Sequence, residues 1–236
     1  MSVLQGTDAA NYAAKATRFE NLEPQDGTED HTASNNLNLK RLVDIVGAIA
    51  ALAFFFPVMI IVFVLLLLGG GKPIFAHGRV GRNGVMFSCY KFRSMVIDAE
   101  DVLADHLAHD PAAREEWACT YKLTHDPRVT WFGLFLRRSS LDELPQLFNV
   151  LRGEMSLVGP RPIVPDEIKR YSGRIEAYYQ CKPGITGLWQ VSGRNDVDYG
   201  RRVRLDAIYA RKKSVRLDVV ILVRTVRAVL SGRGAR

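Results

Sequence analysis

Cysteine is scarce in this chain. Its three residues, Cys89, Cys119 and Cys181, are widely spaced, odd in number and never arranged as CxxC. That excludes a disulfide framework and offers no zinc site, so they read as reduced thiols. Histidine is nearly as sparse: His106 and His109 sit three apart and would share a helix face, but no third ligand accompanies them. No glycine spacing of the dinucleotide or P-loop kind occurs, and no internal repeat or low-complexity block. Negative charge is thin beyond the first 39 residues, which carry two cations against six carboxylates, a net of −4, and leave +11 for the remainder. A basic body suits nucleic acid, an acidic membrane surface or phosphorylated substrates.

What the chain holds in excess is a single apolar run. Ile45 to Leu68 is 24 residues without a charge, and at roughly 1.5 Å per residue it reaches ~36 Å, enough for a ~30 Å hydrocarbon core. It comes too late and runs too long for a signal peptide. Pro57, near its middle, removes a backbone donor and predicts a kink. Lys40 and Arg41 precede the run; Lys72, Arg79, Arg82, Lys91 and Arg93 follow it. Cations on both flanks give no direction for a crossing and fit a re-entrant hairpin with both ends cytoplasmic, with a straight tilted span as the alternative. Because the membrane segment and phosphate chemistry account for the basicity, no nucleic-acid partner is expected.

Residues 1–39 lack apolar periodicity and read as a disordered or weakly structured tail, 40–72 as the membrane segment, and 73–236 as one domain. Gly78, Gly81 and Gly84 between short apolar runs predict loops and short strands from Lys72 to Met95. Two helices are expected over Ile97–Leu123, broken at Asp110 and Pro111, then one over Ser139–Leu151 and one over Asp166–Tyr179. From Val215 to Leu230, Val215, Val219, Leu222, Val223, Val226 and Leu230 recur at helical spacing among Arg216, Arg224 and Arg227. Such a basic amphipathic helix suits a membrane surface, or packs on its own domain.

Asp142 and Glu143 are adjacent carboxylates behind Arg137 and Arg138. Ser140 with Glu143 fits a capping box, so on spacing alone the pair reads first as helix capping and only second as chemistry; the two are compatible, because a helix N-terminus both keeps a carboxylate ionised and attracts phosphate. Arg161, between two prolines in GPRP, is either a rigid bidentate donor for a diphosphate or a structural loop residue. Lys182 to Asp196 combines Gly184, Gly187 and Gly193 with Gln190 and Arg194 in a stretch that suits anion approach or simple turns. Lys91 and Arg93 alternate around Phe92, which in a strand would present both cations on one face.

Taken together, KFRSM from Lys91, DPRVT from Asp126, Leu136 to Pro162, and KPGITGLWQVSGR from Lys182 resemble one family, the bacterial sugar transferases, or monotopic polyprenyl-phosphate phosphoglycosyl transferases. The resemblance covers roughly Lys40 to the C-terminus. It implies an α+β, mainly helical fold: a re-entrant membrane helix hairpin, then a compact cytoplasmic catalytic domain with short strands and interfacial amphipathic helices. The chain departs from the family at Phe56, where a serine usually precedes the proline, and at His77, where glutamine is usual; the large extra membrane domain of longer members is missing, so a compact form is expected.

In the family's reaction, carried to this chain by the resemblance, Asp142 attacks the phosphorus nearest the sugar of a UDP-sugar, UMP leaves, and undecaprenyl phosphate displaces the aspartate. Glu143 would help to hold Mg²⁺ as metal ligand. Lys91 and Arg161 would clamp the diphosphate, with Arg93, Arg138, Gln190 and Arg194 as further substrate-binding candidates. The expected setting is the cytoplasmic face of the bacterial inner membrane, with membrane lipids as partners and a homodimer left open. Likeness in HDPRVT and GLWQVSGRND points to galactose 1-phosphate, with glucose 1-phosphate close behind, at the first membrane step of exopolysaccharide synthesis. Two rivals stand beside this reading: a glycosyltransferase releasing UDP, and a non-catalytic scaffold that would need neither Asp142 nor Glu143.

Overall fold

The computed structural model describes residues 29–120, 123–192 and 198–230. Contacts group Leu39–Arg236 into one unit. It is mostly helical, with one long apolar helix and four short strands among the described residues.

The first helix, α1 (Glu29–Leu68), takes in Glu29–Leu39, a stretch expected as tail, and runs through Pro57 without interruption. Residues 1–28 of that expected tail lie outside the described residues. Asn38–Leu68 is long and apolar enough to cross a membrane. One stripe of α1 turns inward: Asp44, Ala48, Met59, Val62 and Leu66 are buried, and with the half-buried Leu52 and Phe55 between them every step is three or four. Leu42, Val46, Ile49, Phe54, Phe56 and Ile61 remain exposed. The buried stripe meets Phe87, Leu147, Val150 and Met155 near its start and Phe92 and Leu136 near its end. Each such large side chain contributes roughly 1.5–3 kcal/mol by leaving water.

Strands β1 (Ile74–Val80) and β2 (Met86–Phe92) form an antiparallel hairpin in which Ile74 faces Phe92. Its turn uses Asn83 and Gly84 at φ 57° and 76°, a left-handed conformation those two residue types tolerate. The expected helix pair follows as α2 (Ala99–His109) and α3 (Pro111–Thr120). Between them Asp110 Oδ1 accepts the N–H groups of Ala112 and Ala113, capping α3 ahead of a proline at its first position.

The single helix expected over Ser139–Leu151 is instead two pieces around a turn. Helix α4 (Trp131–Ser139), capped by Thr130 Oγ1 on the Gly133 N–H at 2.9 Å, ends where Ser140 adopts φ 58°. A one-turn 3-10 element, Leu141–Glu143, follows, and α5 (Gln146–Arg152) starts after Pro145. Ser140 makes no side-chain capping bond, so the expected capping box does not form. The left-handed serine and the missing proline N–H together break the helix at the two carboxylates. The helix expected over Asp166–Tyr179 is likewise divided, at Ser172 (φ 49°), into α6 (Ile168–Tyr171) and α7 (Ile175–Tyr179).

Strands β3 (Ser156–Val158) and β4 (Gly184–Thr186) pair in parallel. Gly159 and Gly184 stand so close that a Cβ on either would collide with the backbone of the other segment, which seats the GPRP turn against the KPG turn. After α8 (Leu188–Val191) come α9 (Tyr199–Lys212) and α10 (Val215–Leu230). Helix α10 packs on its own domain, as one reading of its pattern expects, with Asp218 and Ile221 buried, and it leaves Val219, Val220, Val223 and Val226 exposed beside Arg216, Arg224 and Arg227.

Candidate active site

The end of β2 and the 3-10 turn bring Lys91, Asp142 and Glu143 together. Lys91 Nζ donates to Glu143 Oε1 at 2.7 Å and lies 3.7 Å from Asp142 Oδ2. Asp142 is buried, whereas the side chains of Lys91 and Glu143 are each about a third exposed, so the group opens to solvent on one side. Burial lifts the Asp142 carboxyl to about 6; Lys91 and Arg137 pull it down, and the Glu143 charge pushes it up. Burial also acts to raise Glu143, but Lys91 outweighs it, with help from Arg161 and a hydrogen bond from Gln146, and the carboxyl sits below its usual value. For Lys91 the desolvation that disfavours its charge is overcome by Glu143 and then Asp142, so the ammonium is held charged. Two neighbouring carboxylates thus have opposite tuning: Glu143 is ion-paired, and Asp142 is a buried carboxylate whose nearest cation lies beyond hydrogen-bonding distance.

Arg137 and Gln146 belong to this group and were not singled out from the sequence. Arg137 Nε donates to Ser94 Oγ at 2.9 Å, which fixes a guanidinium whose charge reaches Asp142. Gln146 is buried three positions after Glu143. The RR pair and the DELPQ run contained both, but nothing in their spacing separated Arg137 from Arg138. Arg138 is exposed.

The remaining candidates are spread out. Arg161 lies over the Trp189 ring at 5.8 Å, its charge felt at Glu143. Gln190 donates Nε2 to Ile185 O at 3.2 Å, a bond internal to the β4–α8 turn. Arg93 lies past the end of β2, so the alternation that would have set it beside Lys91 stops at Phe92; its guanidinium donates to Leu66 O at 3.1 Å and to Gly70 O, at the C-terminal end of α1. Arg194 lies outside the described residues. An open groove lined by Gly78, Met86, Ser88, Tyr90 and Glu154 occupies the other face of the hairpin from Lys91.

No three His, Cys, Asp or Glu side chains cluster as a metal site among the described residues. Mg²⁺, however, is commonly held by one or two carboxylates with phosphate oxygens and water completing its shell. Asp142 and Glu143, adjacent on one turn and partly open, fit that requirement.

The site thus sets a buried carboxylate among cations, and the long helix packed beside it keeps one face apolar and exposed. The bacterial sugar transferase family model matches residues 35–232, and the chain belongs to that family. It is 53% identical over 197 residues to an undecaprenyl-phosphate galactose phosphotransferase of Salmonella typhimurium, covering 84% of this chain and 41% of that protein. It is 50% identical over 208 residues to a UDP-galactose-lipid carrier transferase of Erwinia amylovora, covering 86% of this chain and 44% of that protein. With the exopolysaccharide production protein ExoY of Sinorhizobium fredii it shares 48% identity over 197 residues, covering 83% of this chain and 87% of that relative. The chain therefore spans less than half the length of the first two and most of the third.

Proposed function

We propose that this chain transfers hexose 1-phosphate, galactose or glucose, from a UDP-hexose to undecaprenyl phosphate, releasing UMP as exopolysaccharide synthesis begins. The observation that carries the reading is the Asp142 carboxylate, buried and lifted to about 6, beside a Glu143–Lys91 pair. The names of two relatives support the substrates: the Salmonella typhimurium protein's pairs undecaprenyl phosphate with galactose, and that of a Komagataeibacter xylinus relative, 39% identical over 210 residues, pairs it with glucose.

An Asp142 oxygen attacks the phosphorus bonded to the sugar; the bond from that phosphorus to the bridging diphosphate oxygen breaks, and the electron pair leaves with UMP. The aspartyl–phosphorus bond then breaks as an oxygen of the lipid phosphate attacks, regenerating the carboxylate. Asp142 is largely ionised above pH 6 and, being buried, is poorly solvated, which favours nucleophilic attack. Lys91 and Arg161 hold and neutralise the diphosphate. Glu143, with Asp142 beside it, would hold Mg²⁺, which when bound neutralises charge on the transferring group.

The same reading sets α1 in the cytoplasmic leaflet of the bacterial inner membrane as a re-entrant element, entering and leaving on one side, with the helix continuous through Pro57 where the sequence predicts a kink. Supporting this, α1 touches one domain at both ends, through Lys40, Arg41 and Asp44 near its start and Met59, Val62 and Leu66 near its end. A helix passing straight through the bilayer would leave one of those contacts on the wrong side or draw the polar domain into hydrocarbon. The exposed valines and arginines of α10 suit the same interface.

The test is nucleotide release from UDP-galactose and UDP-glucose with undecaprenyl phosphate and Mg²⁺, comparing wild type with Asp142→Asn. UMP that requires the lipid and disappears in the variant is expected. UDP would mean ordinary glycosyl transfer, and no nucleotide at all would favour a scaffold.

A further inference from the structure

The β1–β2 register places a second group beside the reacting residues. Phe75 pairs with Lys91, His77 with Cys89 and Arg79 with Phe87. Directly opposed residues, and residues two apart, share one face of a hairpin. Phe75, His77 and Arg79 therefore stand on the Lys91 face. On that face the core covers Phe87 and Cys89, whereas Phe75 and His77 are exposed. Their rings stack with centroids 5.9 Å apart and planes 19° from parallel. His77 is within electrical reach of the site: partial desolvation against the strand, then the charges of Arg79 and Lys91, hold its imidazole below the usual value, so near pH 7 it is neutral.

A neutral imidazole offers one N–H donor and one acceptor nitrogen, and it gives a phosphate no charge to pair with. Beside it Phe75 offers a flat apolar surface. An apolar plane with one donor and one acceptor matches a pyranose ring, which has apolar C–H faces and hydroxyls at its rim. The phosphates are already provided for by Lys91 and Arg161, which leaves this face for the group attached to them.

We infer that Phe75 and His77 form the donor-hexose subsite, with Phe75 under the sugar ring and His77 hydrogen-bonded to a ring hydroxyl that distinguishes one hexose from another. This rests on the UDP-hexose reading above. A site that hydrogen-bonds a hydroxyl discriminates through that bond, whereas an apolar surface alone discriminates weakly. His77 therefore governs the choice between epimers, and Phe75 governs affinity for hexoses in general.

Two measurements on the full chain in lipid nanodiscs test this. The first is competition binding of UDP-hexose against UDP to wild type, His77→Ala, Phe75→Leu and, on the opposite hairpin face, Ala76→Ser. The second is the ratio of kcat/KM for UDP-galactose over UDP-glucose, read by UMP release. His77→Ala is expected to shrink that ratio about tenfold while leaving UDP affinity unchanged. Phe75→Leu should weaken both UDP-hexoses alike, and Ala76→Ser should alter neither. Equal loss for UDP and UDP-hexose would overturn the assignment, as would a change confined to KM for polyprenyl phosphate. Should wild type turn over neither donor, the functional reading falls separately, and the binding arm still decides: wild type binding UDP-hexose no better than UDP would sink the subsite.

Discussion

Two lysines in this molecule each meet buried carboxylates, and the two clusters have opposite characters. Lys40, near the start of α1, donates to Asp218 Oδ2 at 2.6 Å, Tyr209 Oη at 3.2 Å and Val158 O at 3.2 Å. Asp218 has both oxygens occupied, because Tyr209 Oη donates to Oδ1 at 2.8 Å. Lys91 has two carboxylates and bonds only Glu143 closely, leaving Asp142 at 3.7 Å. Saturated, the first cluster locks α1 to α10; under-partnered, the second keeps a carboxylate available. Similar burial thus goes with a saturated ion pair in one place and an open carboxylate, the proposed nucleophile, in the other.

The largest effect should come from removing the unsaturated carboxylate. Asp142→Asn is expected to lower UMP release by about three orders of magnitude or more, as loss of a covalent nucleophile does. The same change should stabilise the fold. A carboxyl whose native value lies above its unfolded one favours the protonated native state, so it destabilises the protein increasingly as pH rises from about 4 to 6. Replacing it with a neutral amide relieves a penalty of roughly 1–3 kcal/mol, seen as a higher Tm at pH 7.5 and little change at pH 4. A variant both inactive and less stable would mean Asp142 is structural like Asp218, and the contrast would collapse.

Lys40→Met should do the reverse. It leaves Asp218 buried without its cation and is expected to destabilise the domain by about 3 kcal/mol, measured by denaturant unfolding in detergent. The pair Lys40→Met with Asp218→Leu should recover most of that loss, because the single Tyr209 Oη proton, released from Asp218, can turn to Val158 O at 2.9 Å. Recovery in the double variant would show the cluster to be a lock and not a site.

The pH dependence of UMP release sharpens the other side. Release should fall about tenfold per pH unit below pH 6, as the nucleophile becomes protonated. Lys91→Met removes the charge that holds Asp142 down, so the acid limb should move upward while the remaining rate drops. A limb that stayed in place would mean Lys91 does not act on Asp142.

The sequence pointed to Lys91, Asp142 and Glu143 through the family resemblance and left the locking cluster invisible, for a physical reason. Asp142 and Glu143 are neighbours in the chain, and Lys91 lies in a short strand whose alternation can be read locally. Lys40 and Asp218 are 178 residues apart, and nothing local marks them as partners. Breaks in backbone regularity were also missed. Ser140 and Ser172 enter the left-handed region without a glycine to announce it, so two expected helices proved to be fragments. Helices α4 and α9 went unread because their buried stripes mix apolar residues with Gly133, Arg202 and Asp206.

The smallest effect concerns Arg93, which pattern put beside Lys91 and the structure puts at the end of α1. Its guanidinium bonds to Leu66 O, in the last turn of α1 where the helix leaves carbonyls unpaired and its dipole is negative, and to Gly70 O two residues past the helix end. Arg93→Ala should therefore cost about 1 kcal/mol or less of stability and leave KM for the UDP-hexose near its wild-type value. Arg93→Lys should restore part of the stability, since a point charge still answers the dipole although it cannot reach two carbonyls as a fork does. If Arg93→Ala instead raised the donor KM as Lys91→Met does, the strand alternation would extend past Phe92 in solution, and the boundary between the membrane helix and the site would have to be redrawn.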